Sequence, residues 1–501
     1  MKVLIATDLL ISILLQKDYV DGMDILFMWL KKLRINRCMD ISSLIILTHF
    51  SEAQNLSIFN DFQLLKEIPP QTDNIIILRN YYSQITQESI KSGLKTLLPN
   101  LAWLDSGNVD FLITENPVLF DMAHYIKIDN RVYSIENFIE KCAFEHRNLD
   151  PIKGVVVKEE RLKDLSLKDK FFQSFINDYS PYYFFWFLEK SFDKVYVSKD
   201  FKGKIRAILK LKVEFEDEDY SNIRPLFSPA KRIKISSFKV EYTGQKVGER
   251  FMRIVISCAL REKVDEIYVT IFNNSQQKRR LVNLLSDYGF YYHGIKDINE
   301  EVYVKKMHPV KTFSISNNFP FVRYENSAFL VPIHHEYSKD LLPYIDTNLD
   351  KEDIEPYKSS IKKVITLYRD DFRMQDGTVL LFYKMTKEKQ ERGIIAVGVV
   401  ENVYRDIDTE QQFVLRCRKR SILDDERLQR CWEWRDKDKK LIVADFLYNY
   451  SFNDKSIPED RIRQCKIDLT DMYHQMPIYV TKKQYKDLIK GTDYAKDIDF
   501  D

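Results

Sequence analysis

KRIKISSFKVEYTGQKVGERFMRIVISCALREKVDEIYVTIF, residues 231–272, sets a strand, a glycine-bearing turn, a helix and a second strand in immediate succession. The β-branched run before Gly244 reads as a strand, and Phe251, Ile254, Val255 and Cys258 recur at helical spacing after it. Gly244 and Gly248 let the backbone turn tightly and come close to a ligand. The first turn of the following helix presents unsatisfied N–H groups and the positive end of its dipole, so the segment predicts a site for a phosphorylated ligand. An ordinary βαβ unit with a cationic loop is the alternative.

Working outward, SQQKRRLVNLLSDYGF (275–290) continues as a helix closing on Gly289-Phe290. Upstream, residues 163–217 show two helical patterns and then two strands joined across Asp200 to Gly203. The whole resembles the GNAT superfamily of acyl-CoA N-acyltransferases, whose pyrophosphate loop, Gln/Arg-x-x-Gly-x-Gly/Ala, joins the fourth strand to the third helix. Here the loop reads Thr243-x-x-Lys246-x-Gly248. The resemblance implies an α+β domain with a mixed sheet over 150–310 and acetyl-CoA held by backbone amides around Val240, Gly244, Lys246, Val247, Gly248 and Glu249, with charge from Lys246 or Arg250. Many members use a tyrosine before Gly-Phe as the acid for the leaving thiolate. Leu285 holds the corresponding place, so Tyr288 and the strand-end Glu241 are the catalytic candidates.

The chain has 501 residues, enough for roughly three domains. Its 77 Lys and Arg against 75 Asp and Glu leave a net charge of +2, so affinity for nucleic acid must come from local patches. Six scattered cysteines without a CxxC pair, and an apolar start interrupted by Asp8, predict a cytoplasmic protein with no membrane association. The acidic run from Glu214 to Tyr220 reads as a solvated turn.

Residues 1–147 alternate short apolar strands (Lys2–Ile5, Ile75–Leu78, Phe111–Thr114) with helices (Gly22–Leu33, Gln87–Leu98), which implies a parallel sheet with helices on both faces. IATDLL, VDFLITEN and RVYSIENFIEKC resemble the motifs of PIN domains, metal-dependent ribonucleases of α/β/α architecture. The resemblance implies Mg²⁺ or Mn²⁺ held by Asp8, Asp110 and Glu115. Ala6 stands where the family has its first metal aspartate, Asn116 where the second motif ends in aspartate, and ISSLIILTH lacks the expected glutamate. The nuclease is therefore expected to be inactivated at Ala6, by natural decay or by engineering.

Residues 320–501 are strand-rich: GTVLLFYKM, GIIAVGVVENVY and QQFVLRCRKRSI all read as strands. Their pattern resembles PUA-like β-barrels of the ASCH and EVE type, which commonly bind RNA or modified bases. Arg416, Arg418, Lys419 and Arg420 with Trp432 and Trp434 supply the cations and rings that hold phosphate and stack bases. A solvated basic strand with structural tryptophans is the alternative.

The three resemblances imply an α/β multidomain, RNA-directed protein, toxin-like or RNA-processing, with an acetyl-CoA-dependent N-acetyltransferase at its centre. RNA, tRNA or aminoacyl-tRNA and an antitoxin protein are the implied partners. The rival reading is a non-catalytic acyl-CoA sensor that binds nucleic acid.

Overall fold

The structure, a computed structural model, describes residues 1–499 apart from 16–22, 51–55, 57–58, 84–87, 147–156, 180–181, 201–202, 242–246, 273–275, 298, 310–313, 324–326, 343–359, 369–372, 406, 419, 422, 424, 436–440, 453–454 and 472–475. It divides into two compact units, Met1–Pro151 with Glu241–Gln245, and Ile152–Val240 with Lys246–Asp501.

The first unit runs β1 (Lys2–Ile5), α1 (Thr7–Leu15), α2 (Met23–Lys32), β2 (Asn36–Asp40), α3 (Ile41–Phe50), β3 (Gln63–Leu65), α4 (Asp73–Ser83), α5 (Glu88–Asp105), β4 (Phe111–Ile113), α6 (Pro117–Tyr125), β5 (Val132–Tyr133) and α7 (Ile135–Glu145). Its five strands are parallel in the order β3-β2-β1-β4-β5, as the alternation of strand and helix implied. Leu4, Cys38 and Leu112 pack with Ile75, Leu78, Leu101 and Leu119 of the helices, while Val3, Ile5 and Ile113 are also buried, so both faces of the sheet are covered. One expected strand, Ile75–Leu78, is instead inside α4. Only Ile75 and Leu78 of that run are buried, with Ile76 and Ile77 about half exposed, which is the i, i+3 spacing of a helix rather than the alternation of a strand.

The second unit begins with β6 (Val157–Arg161), α8 (Gln173–Tyr179), α9 (Tyr182–Glu189), β7 (Lys194–Lys199), β8 (Ile205–Glu214), β9 (Ile223–Arg224), β10 (Arg232–Val240), α10 (Val247–Glu262), β11 (Glu266–Ile271), α11 (Gln276–Asp287), β12 (Tyr291–Lys296) and β13 (Glu300–Lys306). These strands form one mixed sheet, β6-β7-β8-β10-β11-β13-β12-β9, in which β10 and β11 run parallel and every other pairing is antiparallel. The apolar stripe of α10 (Phe251, Ile254, Val255, Cys258) is buried against one face, where Phe251 meets Phe238 edge to face at 5.5 Å. The opposite face is covered by α8 and α9, whose Tyr183 and Phe187 pack with Val195, Val197 and Ile208.

The remainder comprises α12 (Ile315–Asn318), β14 (Val322–Arg323), β15 (Ala328–His334), α13 (His335–Leu341), β16 (Lys362–Leu367), β17 (Val379–Met385), β18 (Gly393–Tyr404), α14 (Glu410–Arg418), α15 (Asp425–Glu433), β19 (Ile442–Ser451), β20 (Ile457–Pro458), α16 (Glu459–Gln464), β21 (Ile478–Val480), α17 (Lys482–Ile489) and β22 (Ile498–Asp499). Its main sheet is mixed, β16-β19-β18-β17-β15-β21 with β20 on β18, and apolar clusters cover both faces. β17 and β18, the two expected strands, pair antiparallel. Among the described residues no pairing joins β16 to β21, so the expected barrel is an open sheet here. The expected strand QQFVLRCRKRSI begins as helix α14, because Phe413 and Cys417, four residues apart, are the buried pair.

Candidate functional site

The parallel pair at the centre of the mixed sheet does not stay paired. β10 and β11 are in register from Arg232↔Glu266 to Ile235↔Val269 and no further, while β10 continues along β8 as far as Val240↔Ala207. A bulge in the β8 pairing between Ile235 and Ser237 bends β10 at the same point. The strands therefore part at Ser236 and Thr270, and both residues line a cavity of about 350 Å³.

One wall of that cavity is aromatic and comes from α8 and α9. Phe175 and Tyr183 stack at 5.6 Å with nearly parallel rings, and Tyr183 stacks on Trp186 at 5.4 Å. The floor is the sheet: Lys210 and Lys212 of β8, Lys234 and Ser237 of β10, Thr270 of β11, Lys296 of β12 and Glu300 of β13. Two-residue alternation explains the composition, since Lys210, Lys212 and Lys234 point to this face while Ile233 and Ile235 point to α10.

Glu300 is buried, yet among the described residues its Oε2 has no hydrogen-bond partner; Lys296 reaches Oε1 at 3.4 Å. A buried carboxylate oxygen without a partner costs free energy unless a ligand or solvent satisfies it. Tyr179, bonded to Thr270, has its hydroxyl pushed above the ordinary range by burial and by the charge of Glu300, so it stays protonated as a donor. Burial lowers Lys234, with Lys296 and Lys212 adding to the effect against Glu214 and Glu300. Beside the cavity, Glu214 is buried and accepts from Tyr268 Oη (2.7 Å), Tyr220 Oη (3.1 Å) and Lys212 Nζ (2.9 Å). Burial opposes its charge, but these donors hold its pKa below the usual carboxylate value. The Glu214 end of the expected solvated turn is thus an internal anchor.

Of the residues expected to hold acetyl-CoA, Gly244 and Lys246 lie outside the described residues. Val240 ends β10, and Val247, Gly248, Glu249 and Arg250 form the first turn of α10. A Cβ on Gly248 would stand 2.9 Å from Leu284 Cδ2, so close packing of α10 against α11 is one reason for a glycine there. Glu241 is buried just past β10 and does not line the cavity. Tyr288 is also away from it: its hydroxyl donates to Glu249 Oε2 at 3.4 Å, and burial together with the Glu249 charge drives its pKa far up. Neither catalytic candidate from the sequence is brought to the cavity. Glu300, Tyr179 and Lys234 were missed, although polar residues alternating along central strands (Lys210, Lys212, Glu214; Lys234, Ser236) were a readable sign of a polar internal face.

The amino-terminal carboxylates are not assembled either. Asp8 follows the carboxyl end of β1, with Oδ1 accepting from Thr114 Oγ1 and Oδ2 from the Glu115 amide, each at 2.9 Å. Burial raises its pKa against the pull of these two bonds. Glu115 accepts from the Ile135 amide at 3.0 Å. Asp110 instead precedes β4, where it accepts from the Lys2 amide at 2.6 Å, so it sits at the amino ends of the strands. One strand length, on the order of 10 Å, separates the two ends. Position 6 offers a methyl group, and Ser43 Oγ closes on Thr7 Oγ1 at 2.6 Å. Among the described residues no three of His, Cys, Asp and Glu converge, and this donor set does not fit Mg²⁺ or Mn²⁺.

The basic and aromatic residues of the last region also separate. Arg416 is exposed and lies over Tyr404 at 4.3 Å, and Trp434 is 80% exposed. Trp432 is buried, stacked on Phe413 at 5.8 Å with the Arg435 guanidinium 3.4 Å from its ring centre. Arg420 turns inward to the Lys362 carbonyl (3.4 Å) and Glu249 (3.7 Å). The Arg418 side chain and Lys419 lie outside the described residues. No helix among the described residues is long and apolar enough to cross a membrane.

No family model and no curated protein matches this chain. Solved structures with a likeness to it include a GNAT-family acetyltransferase from Listeria monocytogenes (13% identity, 23% of this chain and 64% of that one, TM-score 0.18). Two more are the N-acetyltransferase PseH of Campylobacter jejuni (12%, 30% and 99%, TM-score 0.19) and the GNAT family N-acetyltransferase YhbS of Escherichia coli in complex with CoA (12%, 31% and 83%, TM-score 0.21). The chain spans less than two thirds of the Listeria protein.

Proposed function

We propose that this chain is an acetyl-CoA-dependent N-acetyltransferase whose acceptor amine enters the cavity beneath α8 and α9. The observation that carries the reading is the parting of β10 from β11 directly beside a buried carboxylate oxygen without a partner, on Glu300. Strand order and helix placement support it: two helices precede the second strand, and the glycine loop joins β10 to α10 as the GNAT resemblance requires. The edge of β10 past Ile235, Gly248 and the first turn of α10 suit a pantetheine and pyrophosphate.

Acetyl-CoA supplies an acetyl group already activated as a thioester, so the chain need only position an amine, polarise a carbonyl and move one proton. As the amine nitrogen bonds to the acetyl carbonyl carbon, Glu300 Oε2 takes its proton, the C–S bond breaks and CoA leaves as the thiolate. Tyr179 Oη, kept protonated by burial, donates its hydrogen bond into the same space. The aromatic wall excludes water. In the first unit, a PIN-like scaffold without nuclease chemistry is the reading that the scattered carboxylates favour. RNA, tRNA and aminoacyl-tRNA belong among the acceptors to assay, and an antitoxin remains a proposed partner.

A non-catalytic acyl-CoA sensor is the second reading, favoured by one observation: the Tyr288 hydroxyl turns to Glu249 instead of the cavity. Glu300→Gln separates the two. Under the enzyme reading, acetyl-CoA raises the melting temperature of wild type and variant alike, while acetyl transfer by the variant falls by about 10²–10⁴-fold. Binding without transfer to amine, RNA or protein acceptors by the wild type selects the sensor. No shift with acetyl-CoA overturns both.

A further inference from the structure

The cavity under α8 and α9 contains five lysines, and four of them are matched. Lys210 meets Asp193 at 2.9 Å, Lys212 meets Glu214 at 2.9 Å and Glu218 at 2.6 Å, Lys296 faces Glu300 at 3.4 Å and Asp297 at 3.5 Å, and Lys190 meets Glu189 at 2.6 Å. Lys234 is the exception. Half-buried in the first half of β10, it has no ion pair or hydrogen bond among the described residues; its ammonium stands 5.8 Å from the centre of the Tyr268 ring, and Glu214 and Glu300 act on it only through space.

An ammonium held away from bulk water with no carboxylate in direct contact is unfavourable, and deprotonation or a contacting anion relieves it. Burial, with Lys296 and Lys212, outweighs the through-space pull of Glu214 and Glu300 and lowers the pKa of Lys234. Its location makes the second route useful, because the same cavity presents the stacked rings of Phe175, Tyr183 and Trp186. A ligand filling this space has a flat apolar part against the rings and a negative charge at Lys234.

We propose that the acceptor is an aromatic amine bearing an anionic group, carboxylate or phosphate, and that Lys234 is the residue that selects for the charge. The use of the cavity as the acceptor site rests on the acetyltransferase reading; the charge selection rests on Lys234 itself. With the amine directed to Glu300, the anion at Lys234 sets the orientation of the ring. A charge-assisted bond of this kind is worth about 10–100-fold in affinity.

The test uses the full chain and two pairs of probes that differ chiefly in the anion: tyrosine against tyramine, and pyridoxamine 5′-phosphate against pyridoxamine. Dissociation constants come from calorimetry, without acetyl-CoA. At least one anionic member is expected to bind ten-fold or more tightly than its neutral twin. The tyrosine pair reports a carboxylate preference and the pyridoxamine pair a phosphate preference. Lys234→Met is expected to abolish the difference with the melting temperature preserved, and Lys234→Arg to retain it. Equal affinities within both pairs, no binding by any probe at millimolar concentration, or a difference that survives Lys234→Met overturns the inference. Acetyl-CoA binding, measured separately by thermal shift, tells whether the acetyltransferase reading fails with it.

Discussion

Lys305 of β13 is fully buried, and its ammonium donates to the carbonyls of Ser316 and Asn317, each at 3.3 Å. Burial lowers its pKa to about 7. An unfolded lysine titrates near 10.4, so between these values the unfolded chain holds the extra proton and the folded state gains stability as pH rises. Wild type should therefore gain on Lys305→Met by roughly 2–4 kcal/mol between about pH 6 and pH 10, as read from urea unfolding of both proteins. A constant difference across that range would mean that Lys305 stays charged in the folded protein throughout. At this scale the sequence is least legible. Lys305, Lys234 and Glu300 look like ordinary surface residues of charged strands, and only the placement of α8 and α9 over one face and α12 beside the other makes them internal. The reverse holds for Glu241, beside the loop in sequence, and for Tyr288, beside the Gly289-Phe290 ending: both stand outside the cavity in space.

Elements were more legible than residues where periodicity and turn chemistry agreed. The strand, helix, strand and helix of residues 231–287 are all present, as are the two strands joined across Asp200 to Gly203. Strand-like composition misleads where a helix cap stands beside an apolar run. In α14, Thr409 accepts from the Gln412 amide at 3.2 Å and Gln412 Oε1 accepts from the Thr409 amide at 3.3 Å. That capping box, Thr-x-x-Gln, was present in the sequence and marks a helix start that strand-like composition obscured. In α4, Thr72 performs a related role by accepting from the Ile75 amide at 3.4 Å. Two glycines separate conformational from packing cost. Gly289, which ends α11, has φ +80°, and a Cβ there would overlap the Ser316 carbonyl; Gly203 has φ +76° with open space around it. Gly203→Ala should cost about 1 kcal/mol, the penalty of a left-handed backbone alone. Gly289→Ala should cost about 2–4 kcal/mol, because α12 must also move. Equal losses in the urea midpoints would show that α12 yields freely.

At the scale of the molecule, the stretch 314–323 between the central and last sheets contributes structure of its own. Ser314 caps α12 by accepting from the Asn317 amide at 3.4 Å, Phe319 packs on Tyr288 at 6.1 Å, and Asn449 of β19 donates to the Pro320 carbonyl at 3.1 Å. The same unit has a second tie through charge. Glu249, in the first turn of α10, accepts at one oxygen from Ser360 Oγ (2.5 Å) and Tyr288 Oη (3.4 Å), and Arg420 stands 3.7 Å away. Arg420 is in turn bonded to the Lys362 carbonyl, and Lys362 pairs with Glu401 at 3.1 Å. The last region thus fixes the start of the helix on which the acetyl-CoA reading depends. Removing one partner leaves the other charge half-buried, so Arg420→Met should cost about 2–4 kcal/mol, whereas Glu249→Gln with Arg420→Met should cost less than the sum of the single changes by about 1–2 kcal/mol. Acetyl-CoA affinity should fall in Arg420→Met and partly return in the double variant, since the geometry of the first turn rather than its charge is at stake. Additive stability losses with unchanged acetyl-CoA binding would make the tie a passive contact, and the last region would then have no hold over the central site.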